Sequence, residues 1–358
     1  MTTVEDANNA LSKILDSGSK KNLIELLWIK NVRVNLPRIL ITLSLPSFAN
    51  SQRDRIVQEV RNELLKFEDV NDVQIEIDNN TSQLNSKDAN NVSELKNIKG
   101  IKHIIAISSG KGGVGKSTVA VNIACSLAKL GLKTGLLDAD IYGPNTPSML
   151  GVTEENPKVT DGSGNDQRLI PIQKYGISLV SMGFLIEEGQ PVIWRGPMLN
   201  SIIKQFLYQV EWNDLDFLVI DLPPGTGDAQ ISLSQSVPIS GAIVVTTPQK
   251  VSLQDARRGL AMFKQIGVPL LGVLENMSVF IPPDMPHKKY EIFGKGGGKT
   301  LAEENNLPLL AQIPIEITLV NDSNKGIPIS ISEPDKESSI RFMELAKLIK
   351  KEFINRNK

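Results

Sequence analysis

The run Gly110-Lys-Gly-Gly-Val-Gly-Lys-Ser-Thr118 has the residue types and spacing to hold a phosphate chain. Gly110, Gly112, Gly113 and Gly115 carry no side chains, so backbone N–H groups can close on phosphate oxygens, and a following helix N-terminus adds a favourable dipole. Lys116 supplies a point charge for the β- and γ-phosphates, and the Ser117 hydroxyl is placed for Mg²⁺. Val114 and Thr118 complete the loop. The apolar run from Ile104 leads in, and small and helix-forming residues from Val119 to Leu130 lead out. Strand, Gly-x4-Gly-Lys-Ser and helix in that order make a P-loop, with ATP and Mg²⁺ as the expected cofactors.

Three acids have matching positions. Asp138 and Asp140 close the run Lys133-Thr-Gly-Leu-Leu-Asp-Ala-Asp140, at the end of an expected strand, where two carboxylates can serve Mg²⁺ and an attacking water. The plainer alternative is a pair of helix-capping acids. Phe217-Leu-Val-Ile-Asp221 is four apolar residues ending in an acid, the Walker B pattern, whose carboxylate holds a Mg²⁺-bound water. The loop Leu222-Pro-Pro-Gly-Thr-Gly-Asp228 follows. Its prolines stiffen it, and Gly225 lets backbone approach the γ-phosphate, so it reads as a switch. The amide of Asn276, after Leu271-Gly-Val-Leu-Glu275, offers the donor–acceptor pair that matches an adenine edge, or else occupies a turn.

These residues need a frame. From Lys102 onward, strand and helix patterns alternate. Near-continuous apolar runs at 133–138, 177–183, 216–221, 241–247, 270–275 and 309–313 suit parallel strands buried on both faces. Helices are expected at 197–210, 229–235, 252–266 and 297–305, and from 338 to the end. The fold class is α/β, a doubly wound, mostly parallel sheet preceded by a small α+β domain. That domain, 1–78, reads helix (4–15), strand, strand (38–45), helix (51–67), strand (70–77). Residues 79–99, rich in Asn, Ser, Asp and Lys, read as a linker, and 100–358 as the P-loop domain. Phe293-Gly-Lys-Gly-Gly-Gly-Lys-Thr300 imitates a second P-loop. With three residues between Gly294 and Gly298, and no strand before it, it is expected only to open the next helix.

Lys111 is not required by an ordinary P-loop, and with it the motif resembles the deviant Walker motif of the MinD/ParA group. The resemblance implies a homodimer in which Lys111 reaches the partner's nucleotide, a cation in trans acting as an arginine finger does. The alternative is a solvated surface lysine. The resemblance also implies that Asp140 orients or deprotonates the water, that Asp138 supports the magnesium shell, and that Asn276 reads the base with Pro314 bordering it. Catalytic roles would then fall on Lys111, Lys116 and Asp140, and metal roles on Ser117, Asp138 and Asp221. Asp221-Leu-Pro-Pro-Gly-Thr-Gly-Asp228 and the Phe-Gly-x-Gly-Gly-Gly run resemble the Mrp/ApbC iron–sulfur cluster carriers within that group. Trp194-Arg-Gly-Pro-Met198 also reads like this family, though Arg195 carries no assigned role. The first 78 residues resemble, in layout, a domain associated with iron–sulfur assembly. That domain's Asp-Pro is here Asp16-Ser17, and where its cysteine stands this chain has Leu45-Pro-Ser-Phe-Ala-Asn50, so no metal chemistry is expected there.

The resemblance implies delivery of a [4Fe–4S] cluster between scaffold and apoprotein clients. The residues depart from it at one place. The family's Cys-x-x-Cys after Asn-Met-Ser falls on Pro282 and Met285, neither of which replaces a thiolate on iron. Cys125, the single cysteine, reads as a packing residue in the P-loop helix; His287 and His103 are the only histidines. The cluster would then need ligands lent by a partner or by glutathione.

A net charge of −1 over 358 residues gives no basic excess for nucleic acid. The first residues lack the layout of a signal peptide, no apolar run is long enough to span a membrane, and one cysteine fits a reducing cytoplasm. A second reading is a MinD/ParA-like regulator that switches a membrane or partner surface without a cluster. The basic amphipathic segment 338–358 is its one signal, and the preferred reading of that segment is a terminal helix docked on the core.

Overall fold

The structure is a computed structural model. It describes residues 2–14, 22–24, 28–43, 53–77, 98–160, 168–185, 202–203, 205–227, 230–231, 233–234 and 237–354. The chain divides into two compact units, Met1–Glu94 and Leu95–Lys358.

In the smaller unit, α1 (Val4–Leu11) and α2 (Arg53–Leu64) accompany a three-stranded sheet, β1 (Ile29–Asn35), β2 (Arg38–Leu43) and β3 (Asp72–Ile77), in the order β1-β2-β3. β1 and β2 are antiparallel; β2 and β3 are parallel. The alternation expected for β2 is observed, with Ile39, Ile41 and Leu43 inward, and Ala7, Leu11, Ile56, Val60 and Leu64 cover them. α1 is shorter than its apolar spacing suggests. It starts at a capping box between Thr3 and Asp6 and gives way after Leu11. The segments 16–17 and 45–50 lie outside the described residues.

The larger unit is built on an eight-stranded sheet. In chain order its strands are β4 (Ile101–Ser109), β5 (Thr134–Asp138), β8 (Ile172–Lys174), β9 (Ile177–Ser181), β10 (Leu215–Asp221), β11 (Gly241–Thr246), β12 (Leu270–Phe280) and β13 (Leu309–Ile315); the short pair β6 (Lys158–Val159) and β7 (Leu169–Ile170) stands apart. The order is β13-β12-β11-β4-β10-β5-β9-β8, parallel except where β8 returns on β9. Side chains alternate between two cores. Ile105, Ile107, Phe217 and Val219 face one layer, and Ile104, Ala106, Leu218 and Ile220 the other. The helices are α3 (Lys116–Lys129), α4 (Thr146–Met149), α5 (Lys250–Gln265), α6 (Gly297–Glu304), α7 (Ile317–Asn324), α8 (Ile329–Ser332) and α9 (Glu337–Ile354), with helical turns at 202–203, 205–208, 230–231 and 233–234.

Several expectations need correction. Ile98, read as linker, is buried in the core of the larger unit. β12 runs five residues past the expected end at Glu275, so Asn276 lies within a strand; the register with β13 shifts beyond it, and Met277 takes φ +56°. Pro314 is likewise inside β13, not after it. That strand is at the sheet edge, where the missing N–H costs no ladder bond. The preferred reading of the C-terminal segment, a helix docked on the core, is observed in α9. Phe342, Leu345, Ala346 and Ile349 are buried in the same layer as Val121 and Cys125 of α3. The glycine cluster 294–298 opens α6, as its spacing implies. Arg195 and Asp228 lie outside the described residues. Among the described residues, no helix is long and apolar enough to cross a membrane.

Candidate functional site

β4 sits at the middle of the sheet with β10 beside it, and its loop crosses the carboxyl ends of both. Asp221 of β10 pairs with Ile107 of β4 and with Asp138 of β5, and Asp138 pairs with Ser181 of β9. Parallel pairing therefore sets the Walker B acid, the first acid of the β5 end and a serine in one row. That row is the crevice where doubly wound sheets place their ligands.

The loop is shaped before any phosphate arrives. Gly115 caps α3 with φ +80°, a conformation that disfavours any Cβ, and a Cβ there would stand 2.2 Å from Asn276 Nδ2. Gly110 is confined from behind, since a Cβ would stand 2.1 Å from the Asp255 carbonyl carbon. Gly112 and Gly113 face open space. Ser109 Oγ donates to the Lys111 carbonyl at 2.9 Å, and the N–H of Gly225 in the switch loop donates to the Ser109 carbonyl at 2.9 Å. The Asn276 amide donates to the Val114 carbonyl at 2.9 Å, so it braces the loop with one N–H, and its oxygen accepts no hydrogen bond among the described residues. Pro314 goes elsewhere. It lines a cavity of about 450 Å³ with Glu275, Ser278, Gln312 and Arg341, which Asn276 does not line.

Lys116 is buried with its ammonium 2.6 Å from Asp221 Oδ1 and 3.2 Å from Asp140 Oδ2. Burial works to lower its pKa, but the facing charges of Asp221 and Asp140 outweigh it and hold the lysine above its ordinary value. Burial pushes Asp221 up, against the pull of Lys116 and Ser117. Its Oδ2 is buried without a hydrogen-bond partner among the described residues. A buried carboxylate oxygen with nothing to accept from is where a metal-bound water fits. With Ser117 at the adjacent helix start, the residues present fit Mg²⁺ held together with a phosphate chain.

Asp138 differs from its neighbours. Its Oδ1 accepts the Asp140 N–H at 3.1 Å; its Oδ2 accepts the Thr146 hydroxyl at 2.8 Å, the Thr146 N–H at 3.3 Å and the Ser181 hydroxyl at 2.9 Å. Burial, and then the charge of Asp221, push it up to about 7. Both of its oxygens are occupied by protein donors, so it can fix the strand end behind Asp140. Asp140 Oδ1 in turn accepts the Tyr142 and Gly143 N–H groups, which leaves Oδ2 on the lysine. Thr146 and Ser181 were not legible as site residues. Their types are ordinary, and only the strand order brings them to Asp138. The Lys111 ammonium has no ion pair among the described residues.

Residues 100–350 match the model of the NUBPL iron-transfer P-loop NTPases. The chain belongs to this family. As a member of the NUBPL iron-transfer P-loop NTPases it carries the P-loop, the two acids of the β5 end and the Walker B acid within the matched region. Residues 5–77 match a second model, that of an iron–sulfur cluster assembly protein. The iron–sulfur cluster carrier protein of Synechocystis sp. is 49% identical over 349 residues, which cover 98% of this chain and 97% of that protein. Among solved structures, the nucleotide-binding protein of Archaeoglobus fulgidus in complex with ADP is similar with a TM-score of 0.56 and 36% identity, over 64% of this chain and 88% of that one. The septum site-determining protein MinD of Pyrococcus horikoshii, complexed with Mg-ADP, has a TM-score of 0.52 and 25% identity over 70% of this chain and 96% of its own. Full-length identity lies with the carriers, and with the face of α9 buried the alternative of a spatial regulator loses its one sequence signal.

Proposed function

We propose that this chain is an ATPase that hydrolyses Mg-ATP as a homodimer in the cytoplasm and couples it to delivery of iron–sulfur clusters from a scaffold to apoprotein clients. The observation that carries the reading is Lys116 held between Asp221 and Asp140 under a glycine cradle, in a chain that matches a carrier protein along nearly its whole length.

ATP would enter with its phosphates against the N–H groups of Gly110 to Thr118, and Lys116 would turn from the two acids to the β- and γ-phosphates. Ser117 and Asp221 would hold Mg²⁺, with Asp138 behind the strand end; bound there, the ion neutralises charge on the phosphates. Asp140, released from the lysine, accepts a proton from a water whose oxygen attacks the γ-phosphorus, and ADP leaves. Gly225, tied to the Ser109 carbonyl, carries the state of the γ-phosphate into the switch loop. Lys111 reaches the partner's nucleotide. Asn276 offers its amide oxygen to the base; Pro314, which lines a separate cavity, takes no part in this reading.

The test is phosphate release by the purified full chain with and without magnesium, alongside sedimentation with ATP. Wild type should turn over only with magnesium and dimerise with ATP. Lys111→Ala should bind nucleotide as a monomer with unchanged affinity and lose both turnover and dimerisation. Wild-type turnover in Lys111→Ala would sink the trans-lysine role, and no turnover in any condition would sink the ATPase reading.

A further inference from the structure

Iron–sulfur clusters are held by protein ligands that are thiolates in nearly every case, with histidine as the usual substitute. This chain has one cysteine and two histidines in 358 residues, and the structure accounts for each. Cys125 lies on α3 at 0% exposure, in the core layer with Ile107, Val121 and Phe342. Burial pushes its thiol up to about 12, so it is neither accessible nor ionised. The His103 ring is packed against Phe217 and Phe353, with centroids 5.4 and 4.9 Å away. His287 alone is exposed, on the loop that follows β12.

That loop is closed and well tied. Phe280 and Tyr290 exchange both backbone hydrogen bonds, at 2.8 and 3.0 Å, and within it the Met285 N–H donates to the Pro282 carbonyl and the Lys288 N–H to the Met285 carbonyl. The donor atoms it offers are the Met285 thioether, the His287 imidazole and the Asp284 carboxylate, among prolines and lysines that supply no ligand to iron, and none of the three is a thiolate. A proline has no ligand atom, and the thioether of Met285, 40% exposed, is neutral and a poor ligand for iron in a sulfide cluster. Two copies would present two imidazoles, two thioethers and two carboxylates, and no thiolate. Among the described residues no group of three or more His, Cys, Asp or Glu could hold a metal ion.

We propose that a cluster handled by this chain stays on thiolates supplied by another molecule, and that this chain contributes none of its sulfur ligands. This rests on the carrier reading above and specifies how the cargo is held. No iron–thiolate bond has to break on loading and no electron moves. The chain binds the thiolate-bearing molecule and adds no bond to iron. The thiolates are either cysteines of a protein or a small thiol such as glutathione.

The experiment is anaerobic reconstitution of the full chain and of Cys125→Ala, read as iron and acid-labile sulfide per chain after gel filtration. One arm contains ferrous iron and sulfide with a phosphine reductant and no thiol. A second adds glutathione. A third replaces free iron and sulfide with a small cysteine-rich scaffold protein preloaded with [4Fe–4S]. The expected result is no stoichiometric cluster in the first arm for either protein, and co-elution of cluster in the second or third, equal in wild type and Cys125→Ala. Retention in the glutathione arm names the small thiol; retention only in the scaffold arm names a protein. A stoichiometric cluster without added thiol, or one lost in Cys125→Ala, overturns the proposal. No cluster in any arm also overturns it. If ATP is hydrolysed normally in that case, the carrier reading falls with it and the ATPase reading stands.

Discussion

The ammonium of Lys116 lies 2.6 Å from Asp221 Oδ1, and both side chains are withdrawn from solvent. The residue that is to hold phosphate is thus bound to the residue that is to hold metal, and a nucleotide has to exchange one charge partner for another. A buried ion pair that can be traded in this way costs little on ligand entry, because the lysine is never left bare. Removing one member is different, since it leaves a buried carboxylate without a cation.

Lys116→Met is therefore expected to act twice. Phosphate release should fall by at least about a hundredfold, the scale for losing a buried charged donor on developing anionic charge. The nucleotide-free protein should also unfold at lower temperature, because Asp221 and Asp140 lose their counter-charge. A variant with wild-type thermal stability would mean that the acids are already neutral in the free protein.

Two glycines of the same loop should separate room for ligand from room for packing. Gly110→Ala drives a Cβ onto the Asp255 carbonyl and should cost about 1–3 kcal/mol of stability, measured by denaturant unfolding. Gly112→Ala meets nothing in the protein and should leave stability unchanged while weakening ATP binding about tenfold or more, measured by calorimetry. Wild-type affinity in Gly112→Ala would show that phosphate does not approach that backbone.

Cys125 should be inert in the native chain. A thiol pushed up to about 12 is ionised at pH 8 on the order of a thousandfold less than a free one, and burial removes access as well. A disulfide reagent should label it only after unfolding. Rapid labelling of the folded chain would place α3 on an open surface, contrary to the packing described.

His103 should make the larger unit's stability depend on pH. Burial, and then the Lys102 charge, hold its pKa below the ordinary value, against the weaker pull of Asp216. The unfolded chain thus binds the proton more readily. The stabilisation from neutral His103 is fully present above the unfolded pKa of about 6.5, and it is lost as pH falls from there through the lower native value. Between pH 7 and 5, wild type should lose more in melting temperature than His103→Phe, which keeps a ring against Phe217 and Phe353. Equal losses would remove the imidazole from the account.

Much of this site was legible in the sequence because its parts are local. Strand, glycine loop, Lys116-Ser117 and helix are contiguous, and an apolar run ending in Asp221 announces itself. The row Ser181–Asp138–Asp221 was not legible, since it depends on β9, β5 and β10 being neighbours, and nothing in the residues states strand order. The positions of Asn276 and Pro314 were misjudged for a related reason. β12 continues through a register shift that polar Asn276 and Ser278 disguise as a strand end, and a proline reads as a terminator unless the strand is known to be at an edge. The helix α4 and the three-residue strand β8 are too short for periodicity to reveal.

The cover that α9 gives to α3 has a consequence for how the protein is made. Lys129 Nζ reaches the Ser330 carbonyl across 201 residues of chain, and Lys350 Nζ reaches the Leu130 carbonyl across 220. At about 5–20 residues per second, a ribosome that has released the nucleotide loop needs some 10–40 s to deliver the segment that shields the helix behind it. During that interval the apolar back of α3 is bare, so the nascent chain offers a sticky surface just when its phosphate loop first emerges. This stage of synthesis is where a chaperone would be needed, and substitutions in α9 should show first as lost yield of soluble protein and only afterwards as lost turnover.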